Sequence, residues 1–229
     1  MNNVLNPVQL ELFMDLKTLN TQIIKKARTL VYIITLILAG VIWFTYSQNG
    51  KPTLDVSNAF GFLSFSFLCL SLIVTPIRVI WPTYPLNGTF LMARRAFGVS
   101  AFIFGFAHYI LQLIINFNSD FNVLLSYMLS GMAYPLVASY IVFLIFALLA
   151  ITSFDFAVKK LGKYWFTIHK LAYLAYPLII YHAVSIGVDF FDKPLNVFSG
   201  SFFIIAIVTI ILESIRVWKG FSKKSGAQA

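Results

Sequence analysis

Residues 94–118 read RRAFGVSAFIFGFAHYILQLIINFN: two arginines, then an almost unbroken apolar run with one histidine, His108, in its interior. A helix needs about 20 mostly apolar residues to cross the roughly 30 Å hydrocarbon core of a bilayer. The run from Phe97 to Asn118 has that length, and the arginine pair marks the end at which it meets a charged surface. The same reading extends outward over the whole chain. Of its 229 residues, 59% are hydrophobic and 17% aromatic, with a mean hydropathy of +0.85, whereas soluble domains are about 45–50% apolar. Further stretches of span length are Leu30 to Tyr46, Ser57 to Ile77, Pro135 to Phe156, Trp165 to Val188 and Val197 to Trp218. The chain therefore reads as an all-α integral membrane protein, a six-transmembrane-helix bundle over residues 30–218, with tails at 1–29 and 219–229. The loops are too short for a soluble nucleotide-binding domain, so electrons or substrates must arrive from another molecule.

The net charge of +9 would suit nucleic acid as a bare total, but its distribution assigns it to the membrane instead. Of the 17 Lys and Arg, all but Lys51 and Lys193 fall in four regions: the first tail, the stretch from Arg78 to Arg95 between the second and third spans, the stretch from Lys159 to Lys170 entering the fifth, and the end of the chain from Arg216. The intervening loops carry Asp55, Asp120, Asp189 and Asp192. The positive-inside rule then places both termini in the cytoplasm, which requires an even number of spans. No short apolar core followed by small residues precedes the first span, so its helix is expected to be retained rather than cleaved. In the first tail Leu12, Leu16, Leu19 and Ile23 recur at helical spacing, which fits a helix in the membrane interface, and a partly disordered tail is the other option. Cys69 is the sole cysteine and stands mid-span in SFLCLSL, so it reads as a small buried hydrophobe.

All three histidines, His108, His169 and His182, fall inside apolar stretches, where an ionisable ring is a functional-site hypothesis by default. At about 1.5 Å per residue, His108 and His182 both come to the outer half of their helices, while His169 lies roughly 20 Å further in, level with Arg94. The depth match makes His108 and His182 a pair able to hold a haem iron from opposite sides. A neutral imidazole donates a ring nitrogen to iron, and two axial ligands favour electron transfer over gas binding. Arg94 and His108 lie within about 40° on one face of the third span, whereas His169 and His182 are about 140° apart on an ideal helix. Pro177, between the last two, bends such a helix and relaxes that phase. Phe102, Phe104, Phe106, Tyr173, Tyr176 and Tyr181 are candidates to pack a porphyrin, and equally for lipid contact or helix packing.

These residues also carry a resemblance. SLIVTPIR ending the second span, RRAFGVSAFIFGFAHY entering the third, and TSFDFAVKKLGKYWFTIHKLAYLAYPLIIYH through the fifth are similar to the MsrQ (YedZ) haem-binding subunit family, within the ferric reductase-like transmembrane superfamily. The likeness covers roughly residues 60–215; its most specific parts are Arg94, Arg95, Gly98 and His108, then Leu161, Gly162, Trp165, His169, Leu171, Tyr173 and His182. Phe97 and Val99 depart from the usual leucines, and Lys170 from the usual arginine. The resemblance implies a membrane cytochrome b that carries electrons across a bacterial inner membrane. Its acceptor would be an MsrP-like periplasmic molybdopterin enzyme that repairs methionine sulfoxide, and its donor a quinol or a cytoplasmic flavin reductase. Carried over, His108 and His182 become axial ligands of an outer haem b. His169 with Arg94 marks an inner site for a second haem or for FMN. Arg94 keeps its proton and there pairs with a propionate or phosphate rather than with iron.

Arg78, after Pro76 at the end of the second span, is a candidate for a haem propionate and equally for a topology or lipid anchor. Asp155 and Glu213 have Lys159 and Arg216 at helical spacing as expected ion-pair partners. The apolar segment Phe121 to Tyr134 reads as a short interfacial helix over the outer site or as a docking surface. Other readings are a superfamily member that reduces ferric iron or a quinone, a small histidine-containing transporter, and a purely structural subunit.

Overall fold

The computed structural model describes residues 7–47, 53–130, 134–186 and 197–225, and every regular element among them is a helix. In chain order these are α1 (Pro7–Tyr46), α2 (Leu54–Ile80), α3 (Asn87–Phe117), α4 (Phe121–Leu129), α5 (Tyr134–Ile151), α6 (Asp155–Leu161), α7 (Lys163–His169), α8 (Leu171–Ile186) and α9 (Val197–Ser225). Five of the described helices, α1, α2, α3, α5 and α9, are long and apolar enough to cross a membrane. The chain is a multi-pass membrane protein.

Helix α2 is the centre. It packs on α3, with α9 and α8 also against it; α1 lies on α3, and α5 bridges α3 and α8. Half of its apolar window is buried, against 11% for α1. Small residues permit the close α2–α3 approach: Gly98 and Gly105 of α3 face Ser71 and Ser64, and Ala101 between them is buried. Phe60 and Phe67 of α2 then close on Phe104, with ring centroids at 5.9 and 5.4 Å. Cys69 is buried with Phe65, Phe202 and Ala206, the apolar role expected of it. Hydroxyls tie the helices where no water reaches. Thr35 of α1 donates to its own Val31 carbonyl at 2.8 Å, so at the 2.7 Å contact between the two hydroxyls the Ser100 proton points at Thr35.

Local chemistry sets the helix ends. Thr53 caps α2 by accepting from the Val56 amide at 3.4 Å. Asn118 and Ser119 have φ of 49° and 62°, the left-handed turn that reverses α3, and Asp120 caps α4 by accepting from the Asn122 amide at 2.8 Å. The fourth span was expected to reach Phe156, but α5 ends at Ile151. There Thr152 and Ser153 turn their hydroxyls back onto the Leu148 and Leu149 carbonyls, each at 2.7 Å, satisfying the helix end.

The fifth expected span, Trp165 to Val188, differs most. It is divided at Lys170 into α7 and α8, and residues 187–196 lie outside the described residues. Gly162, with φ 52° and ψ −120°, a conformation essentially confined to glycine, turns the chain into α7. The 16 residues of α8 rise about 24 Å. The first tail is helical from Pro7 but continuous with the first span, not a separate element. At the other end, α9 runs beyond Trp218 to Ser225.

A Cβ on Gly105 of α3 would stand 2.9 Å from Ser64 Oγ and 3.8 Å from Ser64 Cβ. Ser64 donates to the Ala101 carbonyl across the α2–α3 contact at 2.8 Å. Gly105→Ala is therefore expected to destabilise the protein by about 1 kcal/mol, the worth of the bond that Ser64 must give up, and to be near neutral in a Ser64→Ala background. Unfolding midpoints in detergent for the two single variants and the double variant measure this coupling; additive costs would contradict it.

Candidate functional site

A cavity of about 830 Å³ opens among α2, α3, α4, α5 and α8, within the roughly 300–1,000 Å³ typical of small-molecule and cofactor sites. His108 of α3 and His182 of α8 both line it. Their ring centroids are 6.3 Å apart and their planes cross at 81°. The apolar wall includes Phe62, Phe102, Phe143 and Phe146. Near the α3–α4 turn the lining becomes polar, with Asp55, Asn58, Gln112 and Asn116, and α4 contributes Val123, Leu124, Tyr127 and Met128.

The hydrogen bonds define the chemistry of the pair. His108 Nδ1 lies 2.7 Å from the Ser57 carbonyl and 3.1 Å from the Ser57 hydroxyl. His182 Nδ1 lies 3.0 Å from the Pro135 carbonyl. A carbonyl can only accept, so each Nδ1 carries the proton and each Nε2 keeps its lone pair. This is the tautomer of a metal-ligating imidazole fixed by an outer partner. With about 2 Å for each metal–nitrogen bond and about 1 Å from that nitrogen to the ring centre, two imidazoles on one metal place their centres about 6 Å apart. The observed 6.3 Å matches that span. Among the described residues no group of three or more His, Cys, Asp or Glu is placed to hold a metal. Two unprotonated nitrogens on rings that line a large apolar cavity thus suit an iron that brings its other ligands with it, as a porphyrin does. Gly61 makes room, because a Cβ there would stand 3.1 Å from His108 Nδ1.

The remaining candidates lie elsewhere. His169 does not line the cavity: its Nδ1 is 3.1 Å from the Trp165 carbonyl, its Nε2 is 3.3 Å from Ser153 Oγ, and its ring stacks on Trp165 at 4.0 Å. Arg94 donates to the Ser71 carbonyl at 3.1 Å, and both Arg94 and Arg95 are within electrostatic reach of the His169 ring. Arg78 is exposed in the last turn of α2.

Of the six aromatics expected to pack a porphyrin, only Phe102 lines the cavity. Phe104 is locked in the α2–α3 core, Tyr176 donates to the Ala206 carbonyl, Tyr173 donates to Glu213, and Phe106 and Tyr181 are exposed. Among the aromatics missed, helix α5 supplies three, Tyr140, Phe143 and Phe146, at three-residue spacing along one side. Ser57, Gly61 and Pro135 were missed as well. Their signal in the sequence is slight, a serine and a glycine one helical turn apart and a proline opening a span.

Glu213 pairs with Arg216 at 2.6 Å as its spacing suggested. Asp155 does not pair with Lys159. It binds Arg95 at 2.8 Å and Arg28 at 3.4 Å, because the end of α5 at Ile151 turns it toward α1 and α3. Arg95 also donates to the Ser153 carbonyl at 3.2 Å, and Trp165 to the Thr152 carbonyl at 3.0 Å. The 152–155 turn thus ties α1, α3 and α7 together beside His169.

Over residues 60–180 the sequence matches the family described as Ferric reductase like transmembrane component. The match takes in His108 and His169 and stops two residues short of His182. The chain is also similar to the protein-methionine-sulfoxide reductase heme-binding subunit MsrQ of Agrobacterium fabrum, at 30% identity over 155 residues, 63% of this chain and 66% of that protein. The subunit of the same name from Brucella anthropi is 28% identical over 141 residues, 58% of this chain and 60% of its own length. That of Brucella ovis is 29% identical over 133 residues, 57% and 56%. The matches span less than two thirds of these relatives' own lengths.

The Arg95 guanidinium beside Asp155, with Arg28 behind it, holds the Asp155 carboxyl below the usual carboxylate range. A carboxyl with a depressed pKa stabilises the fold above its unfolded-state value and loses that contribution as pH falls through the folded-state value. At low salt, the wild-type unfolding midpoint is therefore expected to drop on acidification below the ordinary carboxylate range more than that of Asp155→Asn. Equal drops for the two proteins would refute the linkage.

Proposed function

The chain belongs to the ferric reductase-like transmembrane component family, and we propose on that footing that it is a membrane cytochrome b subunit whose haem b is held between His108 and His182. The observation that carries this reading is the pair itself: two lone-pair nitrogens on rings 6.3 Å apart, each fixed by a backbone carbonyl, in a large apolar cavity. When bound, haem b supplies a one-electron iron couple. His108 and His182 would hold it, and the phenylalanines of α2, α3 and α5 would keep water from the site.

We take a single haem as the load, because His169 stands outside the cavity with its ring stacked on Trp165. The topology has six crossings of a bacterial inner membrane, with α7 and α8 making the fifth and both termini cytoplasmic. A quinol or a cytoplasmic flavin reductase, the latter bringing FMN, serves as donor near Arg94 and His169. The acceptor at the opposite face is a periplasmic molybdopterin methionine sulfoxide reductase of the MsrP type, a choice supported by the names of the similar heme-binding subunits.

The test is a dithionite-reduced minus oxidised absorption spectrum of the purified protein, with haem quantified per chain. The wild type is expected to give a low-spin b-type signal at about one haem per chain. His108→Ala and His182→Ala are each expected to lower haem affinity by more than the roughly 10–100-fold that loss of an outer partner alone produces. Full haem content in either variant would rule out the proposed ligation.

A further inference from the structure

The two histidine rings are held in different ways. His108 sits against α2 at two points one helical turn apart. Its Nδ1–H bonds the Ser57 carbonyl at 2.7 Å, with the Ser57 hydroxyl at 3.1 Å, and the ring packs against Gly61 so closely that a Cβ would meet Nδ1 at 3.1 Å and Cε1 at 3.2 Å. Ser57 is itself fully buried, so this edge of the ring has no room to slide. His182 takes its bearing from another helix, through the Pro135 carbonyl in the first turn of α5, at 3.0 Å. Two backbones on opposite sides of the cavity thus fix two planes independently, and the planes cross at 81°.

The crossing has an electronic consequence for the ferric state. An imidazole donates π density into the iron d orbital that lies perpendicular to its plane. Parallel rings act on one of the two available orbitals and split them, whereas crossed rings act on both alike and leave them nearly degenerate. Near-degeneracy leaves orbital angular momentum unquenched and makes the low-spin ferric centre strongly anisotropic. We propose that the Ser57–Gly61 turn of α2 and the Pro135 carbonyl of α5 hold the axial imidazole planes crossed, so that the haem of this subunit is a highly anisotropic low-spin centre. Ser57, Gly61 and Pro135 act through the histidines as positioning residues. The proposal rests on His108 and His182 being the ligands.

Electron paramagnetic resonance of the oxidised, haem-loaded protein at liquid-helium temperature tests it. The expected wild-type result is a single dominant feature at a g value well above the largest component of a parallel bis-imidazole complex. A rhombic signal with three resolved components would overturn the proposal while leaving the ligation intact. A high-spin signal, or no bound haem, would remove both. Gly61→Ala assigns the cause to α2: its methyl forces the His108 ring to turn or retreat, so the largest g value is expected to shift downward while the reduced absorption spectrum remains low-spin. An unchanged g value at full haem content would overturn the role of Gly61. Should Gly61→Ala fail to retain haem, the wild-type spectrum still decides whether the planes are crossed.

Discussion

A histidine buried in an apolar bundle has a donor that no water can satisfy, and the short bond from His108 Nδ1 to the Ser57 carbonyl meets that need. Much else follows from it. The bond fixes the tautomer, the tautomer leaves Nε2 unprotonated on a ring that lines the cavity, and the position of Ser57 requires α2 and α3 to approach closely. That approach is possible because α3 presents alanine and glycine to α2, and because Gly61 and Gly105 stand where a Cβ would crowd His108 or Ser64. The small residues of the two central helices and the setting of the His108 ring are therefore one arrangement.

The bundle has two chemically distinct ends. Around the histidine pair, both Nδ1 donors are committed to backbone carbonyls and phenylalanines form much of the wall, with polar side chains gathered toward the α3–α4 turn. At the other end the charges crowd together: Arg28 and Arg95 grip Asp155, Glu213 takes Arg216 and Tyr173, and His169 is wedged between Trp165 and Ser153. This end is built on the breaks between α5 and α8. The helix end at Ile151, the glycine turn at Gly162 and the division at Lys170 bring the backbone of residues 152–155 within reach of α1, α3 and α7.

Much of this was legible in the sequence, for identifiable reasons. Apolar length gives spans directly, since the bilayer imposes it, and depth along a helix is a matter of counting, so His108 and His182 could be matched without knowing how the helices pack. Azimuth was harder. Phe104, Tyr176 and Tyr181 are near the histidines in sequence but face the core, α9 or the exterior, while the aromatic stripe of α5 that lines the cavity carries no histidine to call attention to it. The Asp155 partner was misjudged because helical spacing to Lys159 takes no account of two arginines arriving from other helices. The Ser57 and Pro135 carbonyls are backbone groups, and no side-chain pattern marks them.

The central claim is that His108 and His182 bind one iron through Nε2. An experimental density map of the purified protein in a lipid nanodisc tests it most directly. The account predicts a planar macrocycle in the cavity, with both Nε2 atoms on its metal and both Nδ1 atoms still on the Ser57 and Pro135 carbonyls. Lipid or detergent density between the two rings in a protein prepared with ample haem, or a macrocycle held by His169 instead, would contradict it.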